Sequence, residues 1–253
     1  IFGEKAYPDL QSVPDAIDHA FIMVPTDAVA AVVAQCVAKK IPLATIYSDG
    51  FAEIGPAGRR KQDELLAIAR AGGVRLIGPN CIGLFSNTPS CALSVNAVLD
   101  QLEIRPGPLA IVSQSGSMMG GLLSRGLGRG AGFSKLVSVG NECDLGVGEI
   151  TDCLVDDPHT GAILLFLETI RDADHLAHAA RRAYAAGKPI IVYKLGRSAV
   201  GQDLAASHTG ALAGADEVAD AFFRAHAMVR VDTLENLFEL PTLLAGQKPA
   251  RSH

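Results

Sequence analysis

Residues 108–121 read "PLAIVSQSGSMMGG", and two structural periods meet in them. "PLAIVSQ" (108–114) is a short apolar run without polar alternation, the pattern of a strand buried on both faces. Directly behind it the chain turns to small and hydroxyl residues, which open a Gly-rich helix from about Ser117. A buried strand feeding a helix through a Ser/Gly turn is half of a parallel βα unit.

The same unit recurs in both directions from that point. Downstream, "FSKLVSVG" (133–140), "GAILLFLE" (161–168), "KPIIVYKLG" (188–196) and "MVRVD" (228–232) are further buried strands. Helices are expected between them around 146–156, over "DADHLAHAARRAYAAG" (172–187) and over "DEVADAFFRAHA" (216–227), with "LENLFELPTLLAG" closing the chain. Upstream, strands are expected at "HAFIMVP" (19–25), "LATIYSDG" (43–50) and "VRLIGPN" (74–80). They are separated by helix 26–40, with Thr26 or Asp27 as its N-cap, and by a helix that starts at Pro56 and ends in a Gly pair. Residues 81–105 show weak periodicity and read as a connector, so the boundary between a domain 1–104 and a domain 105–253 is placed near residue 104. The fold class is α/β, with two Rossmann-like or flavodoxin-like domains built on parallel sheets. Such sheets bind ligands outside the carboxyl ends of their strands.

Composition narrows the function. The chain has 253 residues, 49% hydrophobic and 19% charged, enough for a sizeable core and two domains. A net charge of −5 and no basic run interleaved with aromatics argue against nucleic acid as a partner. The five cysteines, Cys36, Cys81, Cys91, Cys143 and Cys153, are odd in number and lack a C-x-x-C spacing, so neither a disulfide framework nor a zinc site is expected. No apolar run reaches the roughly 18 residues of a membrane span and no leader opens the chain, which leaves the cytoplasm by elimination. The opening "IFGEKAYPDL" has no initiator Met and suggests a fragment.

Each suspicious stretch of the second half falls where a strand ends. "SQSGS" (113–117) has the make-up of a phosphate cradle: Gly116 admits close backbone approach, Ser113, Ser115 and Ser117 carry hydroxyls, and free N–H groups start a helix. Turn and cap chemistry explains the same residues. "SVGNECDLG" (138–146), Glu168 and "SHTGALAG" (207–214) are expected at the same sheet edge. His208 is the one histidine inside such a motif; with one ring nitrogen free it can attack phosphorus, and Glu168 is a natural partner for the other nitrogen. For Glu168 the plainer reading is a charge near the N-terminus of the helix that follows. His175 and His178 read as a solvated helix face, with no third metal ligand apparent. Cys81, in "IGPNCIG" (77–83), reads as part of a glycine-bounded turn rather than as a nucleophile.

Together, "GFAEIG" (50–55), "IGPNCIG", "VSQSGS" (112–117), "SVGN" (138–141), "FLE" (166–168) and "SHTGALAG" resemble the NDP-forming acyl-CoA synthetases, over nearly the whole chain and in the family's order. That superfamily includes ADP-forming acetyl-CoA synthetase and the α subunit of succinyl-CoA synthetase. The resemblance implies a CoA-ligase core that converts acid, CoA and NTP to acyl-CoA, NDP and phosphate through an acyl phosphate and a phosphohistidine. It implies His208 as the phosphoryl carrier and Glu168 as its support. Phosphate loops fall at Ser113, Gln114, Ser115, Gly116 and Ser117, and at Gly140, Asn141 and Gly210, with Pro79, Asn80 and Cys81 near CoA. Coenzyme A and ATP/ADP are the implied cofactors, with Mg accompanying the nucleotide, and a carboxylic acid is the substrate. The family's first βα unit and its nucleotide-grasp domain have no counterpart here, so a further domain or partner subunit, and an oligomer, are implied. A different reading is an acyl-CoA-sensing module of a protein lysine acetyltransferase. A dinucleotide oxidoreductase would need a G-x-G-x-x-G between strand and helix, and none stands in the expected place.

Overall fold

The run "HAFI" forms β1 (His19–Ile22), followed by α1 (Thr26–Lys39), β2 (Leu43–Ile46), α2 (Pro56–Ala71) and β3 (Arg75–Ile77). These elements come from a computed structural model, which describes Gly3, residues 5–196 and residues 216–244. The three strands are parallel, in the order β1-β2-β3. Val29, Val33 and Cys36 recur at helical spacing, so one stripe of α1 packs on the sheet, and Leu65 and Ala69 do the same for α2. Pro56 opens α2, where its missing N–H is no loss, and the Gly72–Gly73 pair follows the helix end. The cap of α1 differs from expectation. Pro25 holds the cap position without a side-chain bond, and the Thr26 hydroxyl instead donates to the Asp49 carbonyl at 2.7 Å. That bond ties the end of β1 to the end of β2.

The second sheet contains β4 (Gly83–Asn87), β5 (Ser90–Ser94), β6 (Pro106–Ser113), β7 (Phe133–Ser138), β8 (Ala162–Leu167), β9 (Ile190–Lys194) and β10 (Val229–Val231). Its order is β10-β9-β8-β6-β7-β4-β5, parallel from β10 to β7 and antiparallel in the last two strands. The helices are α3 (Val98–Gln101), α4 (Gly116–Gly128), α5 (Val147–Asp156), α6 (Ala173–Ala185), α7 (Asp216–Ala225) and α8 (Leu234–Leu244). Ala110, Val112, Ile163 and Leu165 face one core with residues of α5, α6 and α7. Leu109, Ile111, Leu164 and Phe166 face the other, with residues of α4 and α8. Burial on both faces is the reason β6 and β8 read as unbroken apolar runs.

Residues 83–94 are not the expected connector. They form the β4–β5 hairpin, which pairs with β7 through Leu84, Phe85 and Ser86. Two physical features hide it in the sequence. It sits at the sheet's edge, with β5 outermost, and in β4 Ser86 is buried while Leu84 and Phe85 are only partly so, which breaks clean alternation. Its turn is Thr88–Pro89, without the Asn-Gly or Asp-Gly signal of tight hairpins. By strand pairing, the change of sheet lies between Ile77 and Gly83. Among the described residues no helix is long and apolar enough to cross a membrane.

Candidate functional site

The carboxyl ends of strands from both sheets surround one cavity of about 590 Å³. The first sheet contributes Met23 to Thr26 after β1, Tyr47 to Asp49 after β2, and Asn80 to Ile82 after β3. The second contributes Gln114 to Ser117 after β6, Gly140 and Asn141 after β7, and Glu168 and Arg171 after β8. A parallel sheet places loops of successive βα units on one edge, so these distant segments meet without a dedicated device.

The expected phosphate cradle lies at the N-terminus of α4. Ser115 is the N-cap, and its side chain accepts from the Met118 N–H at 3.4 Å. Its Oγ stands 3.2 Å from the Ser117 Oγ. The unpaired N–H groups of a first helical turn favour an anion. Gly116 has a steric reason as well, because a Cβ there would come within 2.8 Å of the Ile82 side chain. Ser113 is placed differently: it is fully buried, does not line the cavity, and donates to the Ser115 carbonyl at 2.7 Å. It shapes the turn from beneath.

Gln114 spends its amide on the protein. Its Oε1 accepts from the Glu168 N–H at 2.6 Å and the Thr169 N–H at 3.0 Å, while Nε2 donates to the Thr169 carbonyl at 2.8 Å and to Glu142. One side chain therefore locks the loop after β6 to the loop after β8. Sequence reasoning does not single out Glu142, although it lies within "SVGNECDLG". It is 4% exposed, with Oε2 accepting from the Val147 N–H at 2.8 Å and Oε1 standing 3.6 Å from the Arg171 Nε. Burial pushes its carboxyl above the usual carboxylate range, against the hydrogen bonds from Val147 and Gln114 and the Arg171 charge. Asp172, not Glu168, caps α6, accepting from the His175 N–H at 3.0 Å. Glu168 lies before that cap and lines the cavity.

Asn141 joins the two sheets. Its backbone N–H donates to the Pro79 carbonyl at 2.9 Å, and its Nδ2 donates to Glu53 and, at 3.1 Å, to Gln62. Glu53, in "GFAEIG", also accepts from the N–H groups of Gly50 and Phe51. Gly140 has φ +55°, and a Cβ on it would sit 2.3 Å from the Pro79 carbonyl oxygen, so this junction requires glycine. Asn80 and Cys81 line the cavity; Pro79 forms the junction behind them. Cys81 is 1% exposed and burial pushes its thiol up to about 12. His175 and His178 lie on α6, away from this cavity, with carboxylates of Asp172 and Asp152 at 2.5 and 3.9 Å. His208 and Gly210 lie outside the described residues.

Comparison with known proteins accounts for both halves. Residues 106–244 match the family described as the succinyl-CoA ligase like flavodoxin domain, and residues 1–87 match a CoA binding domain. The chain is 37% identical over 242 residues to the α subunit of acetate–CoA ligase [ADP-forming] I of Pyrococcus furiosus, covering 96% of this chain and 51% of that protein. It is 33% identical over 248 residues to 4-hydroxybutyrate–CoA ligase [ADP-forming] of Nitrosopumilus maritimus, covering 98% of this chain and 35% of that protein. Among solved structures, acetyl-coenzyme A synthetase 1 of Ca. Korarchaeum cryptofilum, in complex with phosphate and ADP, superposes with a TM-score of 0.89 at 31% identity. That match covers 97% of this chain and 52% of the other.

Proposed function

The chain belongs to the family of the succinyl-CoA ligase like flavodoxin domain, and on that basis we propose that it is the CoA-ligase core of an NDP-forming acyl-CoA synthetase. The observation that carries this reading is the single cavity in which the Ser115–Ser117 loop, Gly140–Asn141 and Glu168 meet the strand ends of the CoA-binding half. We propose the functional division at 104/105, between matches that end at residue 87 and start at residue 106. The β4–β5 hairpin then precedes the division and completes the sheet behind it.

In this reading a ring nitrogen of His208 takes the γ-phosphoryl group of NTP and NDP departs. A carboxylate oxygen of the acid then attacks phosphorus, the P–N bond breaks, and acyl phosphate forms. The CoA thiol, losing its proton, attacks the acyl carbon, and phosphate leaves. Each step holds phosphoryl oxygens against the cradle, where the first-turn N–H groups of α4 and the Ser115 and Ser117 hydroxyls act on charge without reorganising. Glu168 would hold the second nitrogen of His208, fixing its tautomer. Magnesium would enter with the nucleotide.

The chain spans about half the length of the Pyrococcus relative, and a partner subunit or further domain that binds the nucleotide completes the proposal. The acid is left open, because relatives of similar identity are named for acetate and for 4-hydroxybutyrate. The acetyltransferase-sensor reading has no counterpart among these relatives.

The test is phosphorylation of the complete enzyme by labelled ATP. Acid-labile, base-stable label is expected on the segment that contains His208, and His208→Ala should lose it. Equal labelling of His208→Ala would overturn the reading.

A further inference from the structure

Among the described residues lining the cavity, the charged ones are Asp49, Glu168 and Arg171, two carboxylates and a single cation. A phosphoryl group carries up to two negative charges, so the cavity's acidic side chains oppose its entry unless Arg171 offsets them. The guanidinium is held in a way that leaves it available. It forms no hydrogen bond with a described residue, and its Nε stands 3.6 Å from the Glu142 Oε1, beyond hydrogen-bond range. Both Glu142 oxygens already accept bonds from other groups, Gln114 Nε2 on one and the Val147 N–H on the other. Arg171 is drawn to Glu142 by charge alone, with its side chain 25% exposed at the cavity wall. A planar fork of N–H donors in that state matches the oxygens of a phosphoryl group. Gln114 fixes the distance relations, since it immediately precedes Ser115 and its side chain also binds Glu142, Glu168 and Thr169. The cradle, the cation and its carboxylate thus share one rigid support.

We propose that Arg171 binds the phosphoryl oxygens in this cavity and that Glu142 is the positioning residue that holds its guanidinium at the wall. The proposal rests on the synthetase reading above and names the cation that site uses.

The experiment runs the complete enzyme in the direction that consumes acyl-CoA, ADP and inorganic phosphate, with Arg171→Gln, Arg171→Lys and Glu142→Gln beside the wild type. Arg171→Gln should raise the KM for phosphate about ten- to a hundred-fold, the range for a lost charge-assisted hydrogen bond. The KM for acyl-CoA should stay within about two-fold of wild type. Arg171→Lys should recover part of the loss, since it keeps the charge without the fork. Glu142→Gln should raise the phosphate KM without moving that for acyl-CoA, a split that a merely structural defect would not produce. An unchanged phosphate KM in Arg171→Gln, or an equal rise for acyl-CoA, overturns the proposal. The binding of inorganic phosphate, read as broadening of its phosphorus resonance, needs no turnover. If the wild type consumes no acyl-CoA, the synthetase reading fails by itself. Broadening by wild type that Arg171→Gln abolishes then still supports Arg171, whereas equal broadening, or none by wild type, overturns it.

Discussion

Cys81 lines the cavity at the end of a strand, where a reactive thiol would be expected, yet its surroundings make it inert. It is 1% exposed, and its Sγ donates towards the Ile46 carbonyl at 3.4 Å. Burial pushes its pKa to about 12. At pH 8 about one thiol in ten thousand would then be thiolate, the form that reacts. Cys143 is pushed up to about 12 for the same first cause; the Cys153 thiol is raised by burial as well, but it alone of the three is exposed to reagent. Iodoacetamide at pH 8 should therefore alkylate Cys153 in the native protein and leave Cys81 and Cys143 untouched until denaturant is added, as read by peptide mass spectrometry. Native alkylation of Cys81 at a comparable rate would overturn its reading as a turn residue and make it a candidate nucleophile. Glu142 teaches the opposite lesson. Its sequence context is an ordinary acidic residue in a loop, and only its partners Gln114, Val147 and Arg171, 28, 5 and 29 positions away, show it to be a buried structural carboxyl.

At the scale of elements, the turn into α4 has two duties that two serines separate. Ser115 is the N-cap and accepts from Met118 N–H, so Ser115→Ala should cost about 1 kcal/mol of stability. Ser117 is exposed in the first turn and caps nothing, so Ser117→Ala should stay within about 0.5 kcal/mol of wild type. Both variants should bind inorganic phosphate more weakly if the loop is a cradle. Thermal melts beside phosphate titrations check the split, and a Ser117→Ala protein with full phosphate affinity would reduce Ser117 to a turn residue. The strand and helix alternation was legible because β6 and β8 are buried on both faces, and a short unbroken apolar run between turn residues is what a strand with two covered faces requires. The β4–β5 hairpin was not, because an edge pair with one buried serine has neither a clean period of two nor a tight-turn signature. For the site, strand ends carry their loops to one edge in any parallel sheet, so Ser115, Gly116, Ser117, Asn141 and Glu168 could be grouped before their contacts were known. The contribution of Arg171 could not, since an arginine after a strand is usually a solvated charge.

Across the whole molecule, the cavity exists only while two separate sheets keep their relative position, and Asp144 links them through one buried carboxyl with three partners. Its side chain is 2% exposed and accepts from Arg75 Nε at 2.7 Å, Arg70 Nη2 at 3.2 Å and the Leu76 N–H at 3.0 Å. Backbone bonds run alongside, Cys143 N–H to the Gly78 carbonyl and Leu145 N–H to the Leu76 carbonyl, both at 3.0 Å. Burial works against the Asp144 charge, but the hydrogen bond from Arg75, that from the Leu76 N–H and the nearby positive charges outweigh it, so its pKa falls below 3.8. A carboxyl whose pKa is lowered on folding contributes stability above its unfolded value and loses it as pH falls through the folded one. Asp144→Asn keeps the shape and one acceptor but removes the charge, and should cost about 1–3 kcal/mol at neutral pH. The gap between wild type and variant should be constant from about pH 7 to pH 5 and close as pH falls below 3.8, because wild type then protonates the same group. Urea unfolding followed by circular dichroism at a series of pH values measures this directly. A gap that stays the same size at low pH would mean that shape, not charge, joins the two sheets. Phosphate affinity should fall together with stability in the variant, since the Gly140–Asn141 wall leads straight into Asp144 and moves with it.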